Sequence, residues 1–274
     1  MIKIFKTCNS RIIFANILIY IIFLIVSIFI GADKLMNLLA LNPSKIIQGQ
    51  NLWTIFTSIF LHANLFHLFV NMFSLFFIGN FVETLIGKKR FFALYFSSGI
   101  FASIFFAITA GFFGFGYIGK NIFGNPLISG VGASGAIFGL LGFLSIITPK
   151  NKVYLIAGPL IAIILESILS VFVPIQLSSL LSILISFYFI LSLISMFSFN
   201  SSLRKIAIPI KLSFWTLPLI SIIPLIVIDL IPGIDLPIGN MAHLGGLILG
   251  LSYGFYLRKK FPNKTKMISR MFSK

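Results

Sequence analysis

Apolar runs of bilayer length follow one another along almost the whole chain, and nothing else in it restricts the fold so strongly. Residues 12–31, 62–82, 91–112, 134–148, 153–173, 177–199, 212–231 and 241–257 are each dominated by Ile, Leu, Phe, Val and small residues. A helix needs about 20 such residues to cross a bilayer. Only 9% of the 274 residues are charged while 58% are hydrophobic, against about a quarter charged in soluble domains. Too few charges remain to cover a water-exposed surface, and too much apolar content is present for disorder. The expected fold class is therefore all-α, a polytopic transmembrane helix bundle with about eight spans. Pro209, Pro218 and Pro224 make the seventh run less regular than the others.

The net charge of +16 invites a nucleic-acid reading, but its distribution points to the membrane. With the N-terminus inside and the spans alternating, 18 of the 21 Lys and Arg residues fall on the inner side. They include Lys3, Lys6 and Arg11, the run Lys88-Lys89-Arg90, and a C-terminal group from Arg258 to Lys274. Only Lys34, Lys45 and Lys120 fall outside. Positive residues concentrate in cytoplasmic loops of membrane proteins, so the charge is an orientation signal. It also implies attraction to anionic lipid of the inner leaflet. Residues 1–11 are expected as a cytoplasmic N-terminus, 12–257 as the membrane domain and 258–274 as a basic cytoplasmic tail. The apolar run after the basic start is long and lacks an A-x-A site, unlike a cleaved signal peptide. The outside loop 32–61 contains helically spaced apolar residues and Trp53, which suits segments lying in the membrane surface. Cys8 is the single cysteine, so neither an intrachain disulfide nor a thiolate metal cluster is expected.

Polar side chains at membrane depth are costly and ask for a reason. The three histidines all lie in or beside expected spans. His67 and Asn71 are four apart and share a helix face, while His62 is offset from His67 by about 140°. A Gly-rich outside loop ends in Gly132-Ala133-Ser134-Gly135 at the start of the fourth span. Ser134 has a bland reading as a helix cap among close-packing small residues. Its functional reading is a nucleophile on a loop-to-helix turn, with free first-turn N–H groups beside it. Ala242, Gly246, Gly250 and Gly254 form one small face on the last span, with His243 at its edge. If that face meets the fourth span, His243 approaches Ser134. Under the charge-based topology Ser134, His243, His67 and Asn71 share one depth near the outer surface. Ser with His supplies a nucleophile and a general base, and His67 and Asn71 supply donors for an oxyanion. These motifs contain no acid; Asp33 and Asp235 lie in outside loops with nothing to connect them to the site. Glu166, inside the fifth expected span, reads as a protonated or hydrogen-bonded structural residue.

In this order the motifs resemble the rhomboid family of intramembrane serine proteases. The resemblance rests on HxxxxHxxxN at His62, His67 and Asn71, GASG around Ser134, and Ala242-His243 with its following glycines. The stretch from Gln50 to Leu61 and Glu83 at the inner end of the second span are also rhomboid-like. The likeness covers roughly residues 30–150 and 235–257. It implies a core of six helices and a catalytic dyad of Ser134 as nucleophile and His243 as base. It implies an oxyanion hole from the Ser134 N–H, His67 and Asn71, with His62 and Gly132 supporting the site. Substrates would be transmembrane helices of other proteins, cut near their outer ends, with no cofactor and no metal. The implied setting is the plasma membrane, with both termini cytoplasmic and the site open to the outside.

Three departures from the family pattern stand out. Trp53-Thr54 replaces Trp-Arg. Phe138 stands where Tyr is frequent, and its ring can still stack on His243. Ser134 and His243 are 109 residues apart with three expected spans between them, where the common core has one. Competing membrane chemistries fit less well. No HExxH zinc motif is present, and Asp229 is the only aspartate in a span, at its edge. A secondary transporter is expected to show internal repeats around a midplane site. An inactive rhomboid-like scaffold that binds helices is the remaining alternative.

Overall fold

The computed structural model describes residues 6–158, 161–162, 164–165, 169, 173, 175–196, 198, 200–231 and 239–271. It is an all-α polytopic bundle built on α1 (Cys8–Ile30), α5 (Leu65–Ile86), α6 (Lys88–Phe113), α8 (Ser134–Ile147), α10 (Leu217–Asp229) and α11 (Asn240–Lys260). Among the described residues α1, α5 and α6 each meet the length and hydropathy of a bilayer crossing. The protein is an integral membrane protein. Shorter helices α2 (Ala32–Leu39), α3 (Pro43–Ile47) and α4 (Thr54–Thr57) occupy the first loop, and α7 (Gly116–Phe123) the loop before α8.

Helix α8 is apolar on every side and sits at the centre, with Gly139 to Ser145 all buried, as a helix lacking a polar face must. α1 shows the opposite behaviour. It turns Ile21, Ile22, Leu24, Ile25, Ile28 and Phe29 outward, a surface suited to lipid tails rather than water. Small residues set how closely the centre packs. A Cβ on Gly246 would strike the carbonyl oxygen of Gly135, and one on Gly250 that of Gly139. On the other side of α8, Gly135 faces the Ala102 side chain of α6, and Gly139 faces Ser98. The small face expected on the last span is therefore the seam between α8 and α11.

The N-terminal end of α1 is fixed by a distant carboxylate. Glu83 Oε1 accepts from the Cys8 N–H at 2.9 Å and Oε2 from the Asn9 N–H at 2.7 Å. These are first-turn donors without intrahelical partners, at the positive end of the helix dipole. Asn9 Nδ2 in turn donates to the Leu75 carbonyl at 3.0 Å, at the start of a π-helical turn spanning Leu75–Gly79 within α5.

Two expected spans differ from the structure. Residues 152–156 form strand β1 (Lys152–Ile156), which pairs antiparallel with β2 (Pro209–Ser213), matching Lys152 to Ser213 and Ile156 to Pro209. An apolar run containing Val, Tyr and Ile suits a strand as well as a helix, so its start is not a span. The rest of 153–173, Glu166 included, lies largely outside the described residues. Taking residues 212–213 into β2 also shortens the seventh run to α10, which starts with Pro218 in its first turn. The ribbon closes off the chain between residues 156 and 209. That chain includes α9 (Ile175–Met196), and it leaves and returns at the same end of the bundle. This excursion accounts for the 109-residue separation of Ser134 and His243 and leaves α8, α10 and α11 in the order of a six-helix core.

Candidate active site

Three backbone features bring the polar residues together. The side chain of Asn64 caps α5 by accepting from the His67 N–H at 2.8 Å, which sets the point where the helix begins and where His67 faces. The loop before Ser134 is pinned to the first loop by paired bonds between Leu41 and Gly130, at 3.1 and 2.8 Å. The Gly132 N–H adds a bond to the Ser58 carbonyl at 2.9 Å. The first loop is itself anchored by Trp53 Nε1 donating to the Leu38 carbonyl at 2.8 Å and by the Thr57 hydroxyl donating to that of Leu39 at 2.7 Å. Thr54, at the family's Arg position, is fully buried and donates to the nearby Asn51 carbonyl at 2.7 Å.

The tight seam between α8 and α11 then carries two side chains into contact. His243 Nε2 lies 2.8 Å from Ser134 Oγ. The imidazole stacks on the Phe138 ring with centroids 4.3 Å apart and planes 10° from parallel. Phe138 is one helical turn after Ser134, so one turn of α8 supplies both the hydroxyl and the surface that orients its partner. His243 Nδ1 is buried and has no hydrogen-bond partner among the described residues; Asp235 lies outside them. A serine hydroxyl at hydrogen-bond distance from an imidazole can pass its proton to that ring as the oxygen attacks an electrophile.

The second group of residues flanks the serine. Gly132 has φ of 128°, a conformation that side chains rarely adopt, and a Cβ there would lie 2.9 Å from His67 Nε2 and 3.7 Å from Ser134 Oγ. Gly132 is thus the residue over which the His67 ring approaches the serine. The His62 and His67 rings meet edge to face at 5.2 Å, and His62, buried, places Nδ1 3.2 Å from the Phe60 carbonyl. Asn71 is buried one turn below His67 and donates one amide hydrogen to the His67 carbonyl at 2.9 Å. An amide nitrogen carries a second hydrogen that it can donate. Ser134 opens α8, so its N–H belongs to the first turn, whose N–H groups have no intrahelical acceptor.

All seven residues singled out from sequence (Ser134, His243, His67, Asn71, His62, Gly132 and Phe138) lie in this one cluster. Three contributors were not legible: Asn64, Ser58 and Leu41. Asn64 carries a local signal, being a capping residue just before an apolar run. Ser58 and Leu41 act through backbone groups, for which side-chain identity gives no clue. No group of three or more metal-ligating side chains occurs among the described residues.

Comparison with known proteins adds an independent line. The family profile described as the Rhomboid domain matches residues 49–190 and 188–260. RHOMBOID-like protein 6, mitochondrial, of Arabidopsis thaliana is 28% identical over 228 residues, 83% of this chain and 50% of that protein. The putative rhomboid protease YdcA of Bacillus subtilis is 35% identical over 115 residues, 39% of this chain and 50% of its own length. Inactive RHOMBOID-like protein 8 of Arabidopsis thaliana is 34% identical over 121 residues, 44% of this chain and 30% of that protein. The chain spans half or less of the length of these relatives.

Proposed function

Because this chain belongs to the rhomboid family, we propose that it is an intramembrane serine endopeptidase that hydrolyses peptide bonds within or next to transmembrane helices of other membrane proteins. The observation that carries this reading is the 2.8 Å approach of His243 Nε2 to Ser134 Oγ with the imidazole held against Phe138. Ser134 Oγ attacks the scissile carbonyl carbon while its proton passes to His243 Nε2. The tetrahedral oxyanion takes hydrogen bonds from the Ser134 N–H, the His67 ring and the second Asn71 amide hydrogen. The imidazolium gives its proton to the leaving amine as the C–N bond breaks, leaving the acyl group on Ser134 Oγ; water then attacks the acyl carbon while His243 Nε2 takes its proton, and that proton passes to Ser134 Oγ as the ester bond breaks. His62 and Gly132 hold the His67 ring in place. No cofactor and no metal take part.

A helix hides its carbonyls in its own hydrogen bonds, so the scissile segment is one that unwinds readily, rich in Gly, Pro or other helix-breaking residues. The distribution of Lys and Arg supports cytoplasmic termini and a site opening to the opposite side of the membrane; the plasma membrane is the setting we propose. A second reading, an inactive scaffold that binds helices, is favoured by the likeness to a relative named inactive. Purified protein in liposomes with a generic transmembrane substrate separates the two. Cleavage by wild type, lost in Ser134→Ala and in His243→Ala, is expected. Substrate that binds but stays whole with wild type supports the scaffold, and undiminished cleavage by Ser134→Ala sinks the dyad.

A further inference from the structure

The end of the bundle away from Ser134 carries a groove that the proteolytic reading does not use. It lies between α6 and α11, open along one side, with a volume of about 450 Å³, within the range of about 300–1,000 Å³ typical of ligand sites. Lys89 and Arg90 line it in the first turn of α6, and Ala93, Leu94, Leu249 and Tyr253, with the small side chains of Ser97 and Ser252, form the rest of its walls. The spacing accounts for the shape. Lys89 and Ala93, Arg90 and Leu94, and Leu249 and Tyr253 are each four apart, so each pair shares a helix face. The two faces meet along the groove, cationic at one end and largely apolar beyond. No acidic side chain lines it. The last turn of α11 adds Arg258, Lys259 and Lys260 at the same end of the bundle.

We propose that this groove is a binding site for one anionic phospholipid, its headgroup phosphate held by Lys89 and Arg90 and an acyl chain laid along Ala93, Leu94 and Leu249. A guanidinium takes a phosphate through two parallel hydrogen bonds, and the neighbouring ammonium adds a point charge. The apolar walls exclude a free phosphate ion as the preferred occupant, because only a ligand with both a phosphate and a hydrocarbon chain covers both parts of the groove. A zwitterionic lipid covers the walls equally well but brings its own cation to the cationic end, where it is repelled. The site therefore selects by headgroup charge at a fixed place, beyond the general attraction of a basic surface to anionic lipid. It depends only on the membrane placement of the helices and not on hydrolysis.

Native mass spectrometry of the full chain in neutral detergent, with equal amounts of dioleoylphosphatidylglycerol and dioleoylphosphatidylcholine, tests the site. Wild type is expected to retain one phosphatidylglycerol at least tenfold over phosphatidylcholine. Lys89→Gln with Arg90→Gln removes the charge at the cationic end, and Ala93→Trp fills the exposed groove without altering charge. Both should bring the preference down to near unity. Lys259→Gln with Lys260→Gln removes as much charge from the same end and should leave it intact. Unchanged preference in the first two variants, or equal loss in the third, overturns the proposal, as does displacement of the lipid by millimolar inorganic phosphate. Circular dichroism of each variant identifies any that fails to fold, and the Ala93→Trp and double-Gln variants back each other up.

Discussion

At the scale of single residues, the site depends on two features that are easy to disturb without unfolding the protein. Gly132 holds a φ of 128°, with space beside it taken by the His67 ring. Ala at this position meets both obstacles, and a residue forced into such a conformation costs about 1–3 kcal/mol. The loop relieves the strain by moving His67 or Ser134. Gly132→Ala is expected to lower kcat/KM at least about tenfold, a change of about 1.4 kcal/mol in transition-state stabilisation, with the helical circular dichroism spectrum unchanged. Phe138 tests orientation rather than chemistry. Phe138→Tyr preserves the ring stacked on His243 and should keep activity within a few-fold of wild type. Phe138→Ala removes the surface that holds the imidazole and should lower kcat more than it raises KM. Equal kinetics for the two variants would mean that the stacking observed at 4.3 Å has no part in positioning the base.

At the scale of elements, the seam between α8 and α11 decides whether Ser134 and His243 meet. A Cβ on Gly250 would strike backbone, the Gly139 carbonyl oxygen, whereas one on Gly254 would stand 2.8 Å from the Ile146 Cβ, a lesser clash and with a side chain. Overpacking costs roughly 1–3 kcal/mol where neighbours cannot yield. Gly250→Ala should thus lower the thermal midpoint in detergent and activity clearly more than Gly254→Ala; the reverse order would contradict the seam. Glu83→Gln removes the charge that meets the α1 dipole and should cost about 1 kcal/mol in a detergent unfolding titration. The small face of α11 and the shared face of His67 and Asn71 were legible in the sequence because helical periodicity alone places them. The role of Glu83 was not, because its partners, Cys8 and Asn9, lie more than 70 residues away. The ribbon of β1 and β2 was not legible either. Val153 to Ile156 reads equally as the start of a span, and only pairing with Pro209 to Ser213 decides otherwise.

At the scale of the whole molecule, the scarcity of charge organises everything else. The bundle can be covered only by lipid, so a polar residue at depth has to be capped, paired or functional. Glu83 is paired with a helix end; His62, His67, Asn71, Ser134 and His243 converge on one place. The 18-to-3 division of Lys and Arg predicts that reporter fusions after residues 151 and 204 lie inside and one after residue 236 outside. The ribbon, which brings the chain back at residue 209 to the end it left at residue 156, agrees with a common side for 151 and 204. A fusion series that puts 151 and 204 on opposite sides would refute the topology. The most direct test of the central claim is reaction of the purified protein with a fluorophosphonate, followed by mass mapping of the adduct. A nucleophilic Ser134 activated by His243 predicts one adduct, on Ser134, absent in Ser134→Ala and strongly reduced in His243→Ala. Label on another residue, or undiminished label in either variant, contradicts it.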